Sequence, residues 1–155
     1  MRCLSCCARR IPHIIDKKDI PKYVPQISRG RVIDVYDGDT ITIAGYVKNN
    51  SQLFKFSVRL NNIDCPEIKS KKSADKTEHS IACIARDFVK NMIINEMVNL
   101  EKVALDKYGR LLADVYFENR HINNLLLEKR LAVAYDGGTK KVPKNWNDYY
   151  LDGTI

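Results

Sequence analysis

The feature that most constrains this chain is the run from Phe54 to Glu67. Phe54, Phe56, Val58 and Leu60 alternate with Lys55, Ser57, Arg59 and Asn61. A period of two is the signature of an extended strand with one apolar and one polar face. Arg59 therefore leaves the packed side and points to the side where a ligand can sit. Pro66 holds Cys65 extended or in a turn, so Asp64 and Glu67 arrive at a strand end close to a guanidinium. Two carboxylates and an arginine there make either a salt bridge or the start of a site. The rest of the chain has to decide between them.

Around this run, short segments alternate with turn signals. A first strand is expected from about Arg31 to Tyr36, and a return strand from Thr40 to Ala44. Between them Asp37-Gly38-Asp39-Thr40 turns the chain, with the glycine as the permissive residue. Asp37 belongs to ordinary Asp-Gly hairpin chemistry, whereas Asp39 lies past the glycine, where turn geometry requires no acid. Gly45 to Ser51 is a polar loop, and Ile68-Lys69-Ser70-Lys71-Lys72-Ser73-Ala74 is a basic loop, solvated or suited to attracting phosphate. Asp75-Lys76-Thr77-Glu78 has the form of a capping box. Ile81, Ile84, Ala85, Phe88, Val89 and Met92 follow at helical spacing, so one helix face is buried. His79 is expected at the surface, and Cys83 as a small packing residue. Met97 to Leu105 reads as a fourth strand with a bulge, since Val98 and Leu100 are out of phase with Val103 and Leu105. Asp106-Lys107-Tyr108-Gly109-Arg110 is a turn, Leu111 to Phe117 a fifth strand, and Ile122, Leu125, Leu126 and Leu127 mark a second helix. The fold class expected is α+β, mainly β: a five-stranded OB-fold barrel with two packed helices.

Three regions divide the 155 residues. Residues 1–28 hold Pro12, Pro21 and Pro25 without sustained periodicity and read as a flexible tail. Residues 29–141 form the folded domain. Residues 142–155 are a short aromatic segment, in which Pro143 can start a helical turn. There Trp146, Tyr149, Tyr150 and Leu151 either pack back on the barrel or stack bases. The net charge is +7, and eight basic against two acidic side chains in residues 1–31 account for six of those charges. The remainder is close to neutral, so overall basicity says little about a substrate.

Five cysteines are no disulfide framework and fit a reducing compartment. With neither a signal-peptide core nor a transmembrane run, an intracellular monomer is expected. Cys3, Cys6 and Cys7 beside Arg2, Arg9 and Arg10 suit S-acylation and peripheral attachment to the cytoplasmic face of a membrane. Arg at position 2 excludes N-myristoylation. A zinc site with His13, or an unmodified basic tail, are the alternatives.

Four fragments then stand together: Asp37-Gly38-Asp39-Thr40, Arg59 with Asp64-Cys65-Pro66-Glu67, Asp106-Lys107-Tyr108-Gly109-Arg110, and Ala132-Val133-Ala134-Tyr135. In this order and spacing, across roughly residues 30 to 136, they closely resemble the staphylococcal nuclease (thermonuclease) family. The resemblance implies an OB barrel that hydrolyses DNA and RNA with little sequence specificity, leaving 3′-phosphate products. It implies that Asp39, Asp64 and the backbone carbonyl of Cys65 bind Ca²⁺, that Glu67 orients or deprotonates water, and that Arg59 and Arg110 grip the phosphate. Lys107, Tyr108 and Tyr135 match positions around the terminal phosphate and base of the nucleotide. Carboxylates alone admit Mg²⁺ as well as Ca²⁺. An OB groove also suits single strands.

Departures from the family pattern are Cys65 in place of Thr, Arg130 in place of Gly at a helix end, and Gly137 in place of a second tyrosine. There is also no room for the long C-terminal helix. A thiol beside a metal site could be oxidised or take softer metals. The competing class is a non-catalytic OB module that binds nucleic acid or protein; it would not need the acids and arginines, all of which are present.

Overall fold

The computed structural model describes residues 10–68, 76–139 and 142–155. Strands β1 (Arg29–Asp37), β2 (Thr40–Tyr46) and β3 (Leu53–Leu60) form an antiparallel meander. Helix α1 (Lys76–Ile93) follows, then β5 (Met97–Leu105) and β6 (Leu111–Phe117), with β5 antiparallel to both β1 and β6. Parallel pairing of β3 with β6 closes these five strands into a barrel. Short strands β4 (Ile63–Asp64) and β8 (Val133–Ala134) pair with each other, while β7 (Arg120–His121) folds back antiparallel on β6 and leads into helix α2 (Ile122–Glu128). The expected barrel is therefore present, and the expected bulge lies in β5 between Glu101 and Ala104, where Lys102 has φ +49°.

The strand alternation becomes the core. Val32, Ile41, Ile43, Val58, Leu60, Val98 and Val115 are fully buried on the inner face. Apolar burial of this kind stabilises by about 25 cal/mol per Å². Helix α1 closes the barrel with Ile81, Ala82, Ala85, Val89 and Ile93. Ile84, expected in that stripe, is instead 41% exposed. The packed face runs through the i, i+4 series from Ile81 to Ile93, and Ile84 falls on its flank.

Among the described residues three α-helices are present rather than two. The third, α3 (Trp146–Asp152), begins at Asn145, whose side chain accepts hydrogen bonds from the backbone N–H groups of Asn147 and Asp148. It ends at Gly153, in the left-handed region at φ +89°. Trp146 is buried against the core and Tyr149 donates to the Ala132 carbonyl, so the aromatic segment is packing. Leu151, expected to pack with them, is exposed.

Arg130 takes the left-handed conformation expected of the glycine it replaces (φ +55°). Its guanidinium donates to the Leu151 carbonyl at 3.0 Å, binding the end of α3. The tail boundary also moves. Ile27 is buried in the core, and the carbonyls of Gln26 and Ser28 accept from Lys48 and Leu100. Cys3, Cys6, Cys7, the basic loop from Lys69 onward and the Asp75 cap lie outside the described residues.

Candidate active site

The β1–β2 hairpin, the end of β3 and the β5–β6 turn meet at one open cavity of about 800 Å³. Asp37, Asp39, Arg59, Cys65, Glu67, Lys107, Tyr108, Arg110 and Tyr135 all line it. Asp64 is held against Arg59 beneath them. Every site residue expected within the folded domain is thus brought to one place.

Asp39 reaches the cavity because β1 and β2 are joined by only two residues, Gly38 and Asp39, between paired Asp37 and Thr40. Gly38 is required for a reason other than turn conformation. A Cβ there would lie 2.8 Å from the Ala85 Cβ and 2.9 Å from the Cys65 Sγ. The glycine thus lets the hairpin press against α1. The same contact places the Cys65 side chain: its thiol is buried beside Gly38. Burial, and then the charges of Asp39 and Asp64, push the thiol well above its ordinary pKa. A protonated, enclosed thiol is a poor nucleophile and metal ligand, which removes the concern raised by its departure from Thr.

Arg59 bridges the two buried carboxylates. Its Nη1 lies 2.9 Å from Asp39 Oδ2, and its Nη2 lies 2.6 Å from Asp64 Oδ1. Asp39 also accepts from the Cys65 N–H and the Thr40 hydroxyl. Burial would lower the Arg59 pKa, but the two carboxylates more than offset it and leave the guanidinium raised. For Asp39 burial wins over Arg59 and the two hydrogen bonds, and its pKa rises.

Asp37, read from sequence as a turn residue, is the functional candidate that sequence reasoning missed. It lines the same cavity, and its Oδ1 is buried with no hydrogen-bond partner. Burial, then the neighbouring charges of Asp39 and Glu67, raise its pKa. Its sequence signal was hidden by the ordinary role of Asp before Gly in hairpins.

The opposite wall is a turn ordered by one carboxylate. Asp106 accepts from the N–H groups of Tyr108 and Arg110 and from Arg110 Nε at 2.7 Å, while Gly109 takes φ +87°. Burial would raise the Asp106 pKa, but these bonds outweigh it and lower it. Arg110 and Lys107 flank the Tyr108 ring at 5.6 and 5.1 Å, and that ring is exposed. Tyr135 is brought in by β4–β8 pairing and by its N–H bond to the Asn62 carbonyl. Asn62 can turn there because Asn tolerates the left-handed region (φ +60°).

Asn123, also missed, supports this corner. It is buried in α2, accepts from the Val115 N–H and donates to the Asn61 and Ala113 carbonyls. Asn123 follows the buried Ile122 and adjoins Asn124 in the sequence, so no local signal separated it from its exposed neighbour.

Among the described residues, no three His, Cys, Asp or Glu side chains form a ready metal cage. A site on two carboxylates, a carbonyl and water does not need three. The donors present are hard oxygens. The orphaned Asp37 oxygen and the raised pKa values of Asp37 and Asp39 mark surplus negative charge that a cation would offset. The residues fit a hard divalent ion.

A closed five-stranded barrel with carboxylates and arginines gathered at one cavity defines a small OB-type domain with a charged site. Residues 57–150 match the family model of staphylococcal nuclease homologues. The chain belongs to this family. It is 31% identical over 105 residues to an uncharacterized endonuclease of Haemophilus influenzae, covering 68% of this chain and 51% of the relative. It is 33% identical over 88 residues to a probable endonuclease of Schizosaccharomyces pombe, covering 52% and 37%. A staphylococcal-like nuclease of Arabidopsis thaliana is 30% identical over 105 residues, covering 63% and 30%. The chain thus spans from about a third to half of these relatives' lengths.

Proposed function

We propose that this chain is a Ca²⁺-dependent nuclease that hydrolyses DNA and RNA with little sequence specificity and leaves 3′-phosphate ends. The observation that carries the reading is the convergence of Asp39, Arg59, Glu67 and Arg110, from three separate parts of the chain, on one open cavity. Endonuclease-named relatives support the reaction class.

In this reading Asp39, Asp64 and the Cys65 carbonyl hold the ion, with Asp37 adding negative charge beside them. When bound, the ion supplies Lewis-acid polarisation of a phosphoryl oxygen; Ca²⁺ is favoured over Mg²⁺ by family likeness. Glu67, exposed at the rim, takes a proton from the attacking water. Arg59 and Arg110 offer planar, bidentate donors to charge that builds on the phosphate as the bond to the 5′ oxygen breaks. Lys107 and Tyr108 hold the terminal phosphate, and Tyr135 packs on a base. The protein works as a monomer on single strands. Its tail is tethered by acylation of Cys3, Cys6 and Cys7 to a membrane surface. Among the described residues no helix is long and apolar enough to cross a membrane.

The test is release of acid-soluble nucleotides from single-stranded DNA and RNA with Ca²⁺, Mg²⁺ or chelator. Wild type should release them with Ca²⁺, while Asp39→Asn, Glu67→Gln and Arg110→Ala should lose most turnover. A folded Arg59→Ala protein with an unchanged rate would sink the assignment. Strand binding without release would move the reading to a binding module.

A further inference from the structure

Helix α1 carries a histidine and a cysteine that the candidate site does not use. His79 and Cys83 are four residues apart, so they stand one above the other on one helix face. His79 is exposed, and Cys83, expected as a packing residue, is only partly buried. The Cys83 Sγ lies 3.6 Å from His79 Nε2. On the other side of the ring, Nδ1 lies 3.0 Å from the Ile68 carbonyl oxygen. A carbonyl can only accept, so Nδ1 carries the proton and the neutral ring keeps a bare Nε2 facing the sulfur.

Such an arrangement is that of a metal-binding pair. A coordinating histidine donates its other N–H to a carbonyl or carboxylate, which fixes both the tautomer and the ring direction. Zinc bonds of about 2.3 Å to sulfur and about 2.0–2.1 Å to nitrogen, at the tetrahedral angle, set the two ligand atoms about 3.5 Å apart. The observed 3.6 Å needs almost no movement. Thiolate and imidazole are donors that a borderline-soft ion selects, whereas Asp39 and its neighbours offer oxygens. Among the described residues no third His, Cys, Asp or Glu joins the pair, so water fills the other two positions. Arg86, one turn on, is paired with Asp87 at 2.8 Å, which offsets its repulsion of a cation.

One residue connects this pair to the candidate site. Ile68 follows Glu67, and its carbonyl accepts from His79. Burial and the charges of Asp39 and Glu67 raise the Asp37 pKa, and the Ile68 N–H, bonding to that carboxylate, acts against them. We infer that His79 and Cys83 form a second cation site, for Zn²⁺ rather than Ca²⁺, and that an ion there clips the turn after Glu67 to α1. As the sulfur–metal bond forms, the thiol proton passes to solvent. The bound ion draws electron density from the ring, so Nδ1–H becomes a stronger donor and the Ile68 bond tightens. The site does not depend on the nuclease reading.

The experiment uses the full chain with Cys3→Ser, Cys6→Ser and Cys7→Ser as the parent, so that tail thiols cannot bind the probe. Cys83→Ser and His79→Ala are added to it singly, all kept reduced without added thiol. Co²⁺, a spectroscopic stand-in for Zn²⁺, should give the parent one equivalent of a thiolate charge-transfer band in the near ultraviolet. Zn²⁺ should displace it. Cys83→Ser should abolish the band, and both variants should bind Zn²⁺ about tenfold or more weakly in competition. The serine hydroxyl can still donate to Nε2, so thermal unfolding of Cys83→Ser in chelator should match the parent. Zn²⁺ should then raise the Tm of the parent and not of Cys83→Ser, while Ca²⁺ acts alike on both. A parent without the band, a band that survives Cys83→Ser, or equal Zn²⁺ affinity in the two overturns the site. A band with no difference in Zn²⁺-induced Tm overturns the clip.

Discussion

Arg59 has two separable jobs, and metal-free stability isolates one of them. Asp39 and Asp64 are 3% and 4% exposed, and Arg59 is the cation bridging them at 2.9 and 2.6 Å. Arg59→Met keeps most of the stem and removes the charge, leaving two buried carboxylates without their bridging partner. Breaking a buried pair in this way costs about 3–5 kcal/mol. For a domain of this size each kcal/mol is worth about 2–4 °C in Tm, so Tm in chelator should fall by about 6–20 °C. The same surplus of negative charge should make Ca²⁺ a stronger stabiliser of the variant. At a hundred times its Kd a ligand contributes about 2.7 kcal/mol. The variant's Kd should be lower than that of wild type, because the ion no longer competes with a guanidinium. The assay is thermal unfolding by circular dichroism, with chelator and across a Ca²⁺ titration. A variant Tm within about 2 °C of wild type in chelator would refute the view that Arg59 neutralises this pair. So would a Ca²⁺ gain no larger than that of wild type.

The other predictions follow from single contacts. Asp37→Asn removes a half-buried charge that faces Asp39 and Glu67, so Tm in chelator at neutral pH should rise, while Ca²⁺ binds more weakly in calorimetry. Arg130→Ala keeps a left-handed backbone and loses the bond to the Leu151 carbonyl, so it should destabilise by about 1–2 kcal/mol. Arg130→Gly relieves that backbone and should be nearer neutral; equal urea midpoints for the two would contradict the account. The Asp106 carboxyl is lowered in the folded state, so its stabilisation is complete above the unfolded value and fades as pH falls through the lowered one. The Tm gap between wild type and Asp106→Asn should therefore be widest near neutral pH and narrow as pH falls below the ordinary carboxylate range; a gap unchanged with pH would rule this out.

Much was legible in the sequence because its cause is local. Alternation from Phe54 to Leu60 produced β3 and an outward Arg59, the phase slip in Met97 to Leu105 produced the bulge at Lys102, and four fragments in order named the family. Arg130 in place of Gly foretold an awkward helix end, and the backbone there is left-handed. The Asp37–Gly38 step carried two meanings, and only one was visible. Periodicity cannot show that Ala85 and Cys65 crowd Gly38, nor that the hairpin so held leaves Asp37 Oδ1 without a partner inside the cavity.

By itself the sequence determined the five barrel strands (though not the short β4, β7 and β8), the buried stripe of α1 apart from its flank, and which acids and arginines were candidates. Those follow from neighbours a few residues apart, where side-chain period sets the face. Tertiary structure alone decided that the Cys65 thiol is buried beside Gly38, that α3 packs through Trp146 while Leu151 stays out, and that Asp37 lines the cavity with Asp39 and Glu67. Those depend on strand register and on which surfaces meet across long separations, and barrel closure, not local propensity, sets them.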